Sequence, residues 1–255
     1  MGGLLKRLRE RGAPKRGDRI GWFVLADDAG FIWSPPRPVT TDSGPPNSAK
    51  SVNLCPAVLD HEARIVEIPC PVDLELTLQR DERGTLHVQP LAGPQSTVNP
   101  GAWKKLLSMT PPQHWRRPNR PLLQVITPYR FLSDGLVYMN QLPAFLSYKA
   151  QHLPGLLIGG RFPIDAWPRP LMWAFEWHDT KAPISLKRGD PWFYLKFETV
   201  TPTSKPRLIQ AAVTEDLVRF CRNVDSVTNY TNKTFSLLPF ARSQKPKNLL
   251  VEFKN

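Results

Sequence analysis

Leu171-Met172-Trp173-Ala174-Phe175-Glu176-Trp177-His178 places a large apolar side chain at every odd position and closes its even positions with a carboxylate and an imidazole. A period of two marks a β-strand with one buried face. After the turn-like Lys187-Arg188-Gly189-Asp190-Pro191, the run Trp192-Phe193-Tyr194-Leu195-Lys196-Phe197-Glu198 alternates again. Phe193, Leu195 and Phe197 fall on one side, Trp192, Tyr194, Lys196 and Glu198 on the other. Side-by-side pairing of these two strands would gather Glu176, His178, Trp192, Tyr194 and Lys196 on one face, which makes them the candidate ligand-binding residues.

Outward from this pair the chain keeps the same grammar. Val72, Leu74, Leu76 and Leu78 alternate with polar residues, as do Leu86 and Val88, around Asp81-Glu82-Arg83-Gly84-Thr85. Asp at the turn start and Gly where a left-handed residue is needed predict a type I turn with a G1 bulge. That turn sets Leu78 opposite Val88 and Thr77 opposite Gln89, so both strands agree on the inside face. Residues 20–25, 31–33, 122–127 and 135–139 read as further strands, and 34–51 as a long loop. Asn99-Pro100 predicts a short helix through Met109, with Asn as N-cap, Pro at the first helical position and Trp103, Leu106 and Leu107 as its buried stripe. Near the end, Leu217, Phe220, Cys221 and Val224 recur at helical spacing behind Thr214-Glu215-Asp216, predicting a helix over about 214–225.

Proline occurs 28 times, roughly twice its usual share of about 5%. Such spacing excludes long helices and favours short strands joined by ordered loops. The expected fold is mostly β: an antiparallel, jelly-roll-like β-sandwich with short peripheral helices, one domain over 20–255 behind a basic amphipathic arm at 1–19. The formal charge of +12 concentrates at both ends and at 101–121, where Lys104, Lys105, Arg116, Arg117 and Arg120 stand without an acid. A polyanion contact is therefore expected from Arg116, Arg117 and Arg120, through phosphates and without sequence specificity. The alternative is a solvated basic loop. Cys55, Cys70 and Cys221 form no C-x-x-C pair, which argues against a zinc ribbon or disulfide framework. With no signal-peptide pattern and no run of ~18 apolar residues to span a membrane, a soluble, cytoplasmic protein is expected.

Asn53-Leu54-Cys55-Pro56, Ile68-Pro69-Cys70-Pro71-Val72-Asp73, Gly160-Arg161-Phe162-Pro163-Ile164 with Trp167, and Gly189-Asp190-Pro191-Trp192 resemble the landmarks of a family of functionally uncharacterised bacterial and phage-encoded proteins, over roughly residues 50–200. The resemblance implies a single domain outside the membrane and carries over no substrate, cofactor or catalytic residue.

Three functions compete. Exposed rings at Trp192 and Tyr194, beside Lys196, Glu176 and His178, would suit a small-molecule or carbohydrate-like ligand, because a rigid ring gives large contact area at small entropic cost; the alternative is that a loop or the C-terminal helix covers them as ordinary core. Glu176 and His178, two apart on one strand, have the spacing with which cupin-like enzymes aim a carboxylate and an imidazole at one metal; the third ligand would have to come from a distant histidine, and without one the pair is structural and no metal is expected. Thirdly, a structural or assembly protein, virion-associated, would use the basic arm and proline-rich loops to grip neighbours in a homo-oligomer. No G-x-S-x-G, phosphate-binding glycine loop or Cys-His neighbour nominates a nucleophile or a cofactor.

Overall fold

The computed structural model describes residues 19–25, 30–39, 52–91, 93, 96, 98–201 and 204–254. The expected arm lies outside them apart from Arg19, and so does most of the 34–51 loop. Within them the chain is mostly strands in several sheets, with a few short helices. Every ladder is antiparallel except that of β1 (Arg19–Val24) with β15 (Arg207–Gln210), which runs parallel. Together with β8 (Tyr129–Leu132) these form a sheet in the order β15-β1-β8.

The largest sheet contains β2 (Arg37–Pro38), β3 (Ile65–Pro69), β9 (Val137–Pro143), β11 (Arg161–Pro163) and β14 (Pro191–Thr199), in the order β11-β9-β14-β3-β2. A second contains β6 (Leu107–Met109), β7 (Leu122–Ile126), β10 (Gly155–Leu157) and β12 (Met172–Trp177), ordered β10-β12-β7-β6. The third joins β4 (Leu74–Arg80), β5 (Leu86–Pro90) and β13 (Ile184–Leu186) as β13-β4-β5. The predicted hairpin is β4–β5. Leu78 faces Val88 and Thr77 faces Gln89, Gly84 takes φ 77°, and the Asp81 carboxylate accepts the N–H groups of Arg83 and Thr85.

The two strands that open the sequence reading do not pair. β12 lies between β10 and β7, and β14 between β9 and β3. The reason is in the connection: Ile184-Ser185-Leu186 leaves as β13 to pair with β4, so the chain visits a third sheet before entering β14. β12 and β14 meet instead through their side chains. Trp173, Phe175 and Trp177 share one buried cluster with Trp192, Phe193, Leu195 and Phe197, and the Trp173 and Trp192 ring centroids are 5.6 Å apart.

The helices follow their caps. α2 (Pro100–Leu106), which follows α1 (Pro56–Glu62), is capped by the Asn99 side chain accepting from Gly101 N–H and buries Trp103 and Leu106. It ends three residues earlier than expected, because Leu107–Met109 go extended as β6 against β7. After the single turn α3 (Tyr148–Gln151), α4 (Glu215–Asp225) starts where Thr214 accepts from Leu217 N–H, and it buries the four predicted residues. With Ala241 of α5 (Leu237–Ser243), they cover Phe23, Leu132 and Ile209 of the β15-β1-β8 sheet in a second core. Residues 31–33 form no strand; the Trp33 ring packs edge-on against Tyr129 instead. No helix among the described residues is long and apolar enough to cross a membrane.

Candidate ligand cavity and the Glu176 cluster

β14 carries a bulge. Its pairing with β3 shifts between Pro191 and Phe193, and an extra residue in one strand lets two neighbours share a side. Trp192 therefore joins Phe193 in the main core instead of opposing it. Tyr194 does point the other way, but that face is covered: its ring lies edge-on to Phe145 at 5.4 Å in a small cluster with Ile65 and Ala144. Burial and the nearby Glu67 carboxylate raise the Tyr194 hydroxyl to about 12. The expected common face of Glu176, His178, Trp192, Tyr194 and Lys196 thus does not exist, since β12 and β14 lie in different sheets, and Trp192 and Tyr194 are both buried.

Trp192 nonetheless walls a cavity of about 260 Å³ with Trp173 and Phe175. The Trp173 and Phe175 rings stack at 4.7 Å and 17°, forming a flat apolar wall. Pro143 at the end of β9, Ala144 and Phe145 after it, Ala150 and Gln151 of α3, and Leu153, Gly155, Leu156 and Leu157 complete the lining. Gln151 is the polar side chain in this lining, and its Nε2 is donated to Phe145 O at 2.7 Å. Trp192 Nε1 is buried and has no hydrogen-bond partner among the described residues. Exposed Leu146, Tyr148 and Leu156 come from the same segments.

Glu176 and His178 are brought together as expected from their spacing, and a third residue joins them. His178 Nε2 lies 2.7 Å from Glu176 Oε1, and Arg120 Nη1 is 3.5 Å from the same oxygen. Strand pairing explains this: Glu176 is opposite Leu122 in β7, so the residues just before β7 arrive at its carboxylate. Burial works to raise the Glu176 carboxyl; the His178 hydrogen bond, with the His178 and Arg116 charges and the Arg120 bond, outweighs it and holds the group below its ordinary value. Arg116 and Arg117 are exposed, Arg120 half-buried. Of the three arginines read as polyanion contacts, Arg120 thus reaches an internal carboxylate, while Arg116 acts on it only through its charge. Among the described residues no group of three or more His, Cys, Asp and Glu side chains stands together to hold a metal ion, so Glu176 and His178 have an arginine where a cupin-like site would need another ligand.

No family model matches the chain, and no curated protein matches it. The resemblance in the short motifs therefore stands on those motifs alone. The cavity was missed in the sequence because Trp173 and Phe175 read as plain core, which they also are. The available signal was weaker: Phe145, Leu146 and Tyr148 are large apolar residues outside any alternating run.

Proposed function

We propose that this protein binds a small, largely apolar ring compound carrying one hydrogen-bond acceptor, in the cavity walled by Trp173, Phe175 and Trp192. The observation that carries this reading is the aromatic cavity lined by Trp192, whose Nε1–H is buried and has no hydrogen-bond partner among the described residues. A buried donor without a partner costs roughly 1–3 kcal/mol, and a ligand acceptor that reaches it through a small shift of the indole would recover it. A carbohydrate fits less well, because sugars need several polar partners and the lining offers Gln151 already engaged with Phe145. Ligand sites elsewhere share the recipe of apolar walls and few polar groups. A sandwich of jelly-roll type belongs to the same proposal, supported by the core contact of β12 and β14 from separate sheets. So does a cytoplasmic location, for which the three free cysteines speak, since oxidising compartments favour disulfides.

Thermal unfolding in the presence of two probes tests the reading. Acetophenone, with ring and carbonyl, raises the melting temperature more than ethylbenzene, which has the ring alone. Leu153→Trp, which fills the cavity, abolishes both shifts, and Trp192→Phe removes the difference between the probes. Equal or absent shifts in the wild-type chain would refute the proposal.

A further inference from the structure

A second cleft, remote in its lining from the aromatic cavity, lies between the β4–β5 turn and the 109–119 segment. We infer that it binds a nucleotide unit, either free or within a single strand, with the phosphate on Arg80 and Arg83 and the base on Trp115. Its volume is about 660 Å³, within the ~300–1,000 Å³ typical of small-ligand sites. Arg80, Arg83 and His87 line the hairpin side, Thr110, Trp115 and Asn119 the other, and no Asp or Glu is among the described lining residues.

The chemistry is divided between the two walls. On the hairpin, Asp81 is the nearby acid, and it is spent on the turn: it accepts from Arg83 N and Thr85 N and lies 2.9 Å from His87 Nε2. Arg80 Nη1 is donated to Gly84 O at 2.8 Å, which orients the guanidinium; the group has five donors, so it keeps a fork for phosphate. Glu82 is exposed in the same turn but is not part of the lining. On the opposite wall the Trp115 ring is fixed at its edge, since its Nε1–H is donated to Thr110 O at 2.9 Å, and it is half-buried. A ring held at its edge serves as a stacking platform, and every base has a π face to offer. Exposed Arg116 and Arg117 lie on the chain between Trp115 and Asn119, adding positive charge where a neighbouring phosphate of a strand would run. The recognition inferred is by charge and stacking.

Fluorescence anisotropy of the full chain with two probes, a fluorescein-labelled thymidine dodecamer and mant-AMP, tests this and separates the two sources of the same chemistry. Saturable binding of either probe is expected. For the dodecamer it should weaken between ~0.05 M and ~0.2 M salt, as counterion release requires. Arg83→Ala, an exposed turn position whose backbone contacts persist, weakens binding several-fold. Trp115→Leu weakens it roughly tenfold, the scale of one base–aromatic stack, while Trp115→Phe stays near wild type. Failure of both probes to bind at the lower salt overturns the inference. So does wild-type affinity in Arg83→Ala, which remains decisive if Trp115→Leu fails to fold, or binding of a duplex as tight as the single strand. Loss of the acetophenone response would leave this outcome untouched, because the two cavities share no lining residue among those described.

Discussion

Trp192 and Tyr194 are two residues apart on β14, yet one belongs to the main core and the other to a separate cluster on the opposite side. Strict alternation would put them together, and the single bulge before Phe193 separates them. Bulges insert where local composition gives no notice, so this was not legible in Pro191-Trp192-Phe193. The cysteines carry a sharper expectation. Burial raises Cys70 from an ordinary 9.0 to about 12 and Cys221 to about 11, whereas Cys55 is half-buried. A thiol reagent should therefore modify Cys55 quickly and the other two only on unfolding; three equally fast thiols would contradict the packing. Because the folded Cys70 keeps its proton when the unfolded one has lost it, its contribution is full below pH 9.0 and declines as pH rises from there towards 12. By proton linkage the loss is roughly 1 kcal/mol at pH ~10. Urea unfolding at pH ~8 and ~10 should show a smaller drop in Cys70→Ala than in the wild type.

At the scale of elements, what could be read and what could not divide by distance along the chain. The β4–β5 hairpin was legible to the register, because both strands alternate and Asp81 with Gly84 fixes the turn between them. α4 was legible for the same local reason, its cap and stripe lying within eleven residues. The partners of β12 and β14 were not, since alternation says which face is buried and nothing about which remote strand lies alongside. β3 was invisible because all five of its residues are buried, which erases the period of two. Likewise the Glu176–His178 contact follows from spacing along one segment, whereas Arg120 comes from just before the neighbouring strand. Gly155 tests the β10–β12 pairing: a Cβ there would overlap the Glu176 carbonyl and press on the Phe175 ring. Gly155→Ala should cost about 1–3 kcal/mol as overpacking does, measured by chemical denaturation, and it should also disturb the cavity; an unchanged midpoint would count against this close approach.

Across the whole molecule, α4 and α5 are tied to the β body by charge as well as by the second core. Arg130 of β8 is buried; it makes two bonds to Asp225 at 3.0 and 2.7 Å, and donates to Pro168 O. Arg242 of α5 binds Asp165 at 2.9 Å. Removing one partner of a buried pair strands the other charge, and the Asp225 side chain is about a third exposed, so Asp225→Ala is expected to destabilise by roughly 2 kcal/mol, below the 3–5 of a fully buried pair. A loss under ~0.5 kcal/mol in urea would mean that the tie is no stronger than a surface pair. The aromatic cavity lies apart from this second core, between the larger core that unites β12 and β14 and the small cluster of Ile65, Ala144 and Tyr194. Its occupancy is read most directly from the indole N–H signals in a ¹H–¹⁵N spectrum as acetophenone is added, with the Trp192 signal assigned by its disappearance in Trp192→Phe. The Trp192 signal should move downfield and saturate while that of Trp115, already bonded to Thr110 O, stays in place. A Trp192 signal that does not move at the highest probe concentration would contradict the account.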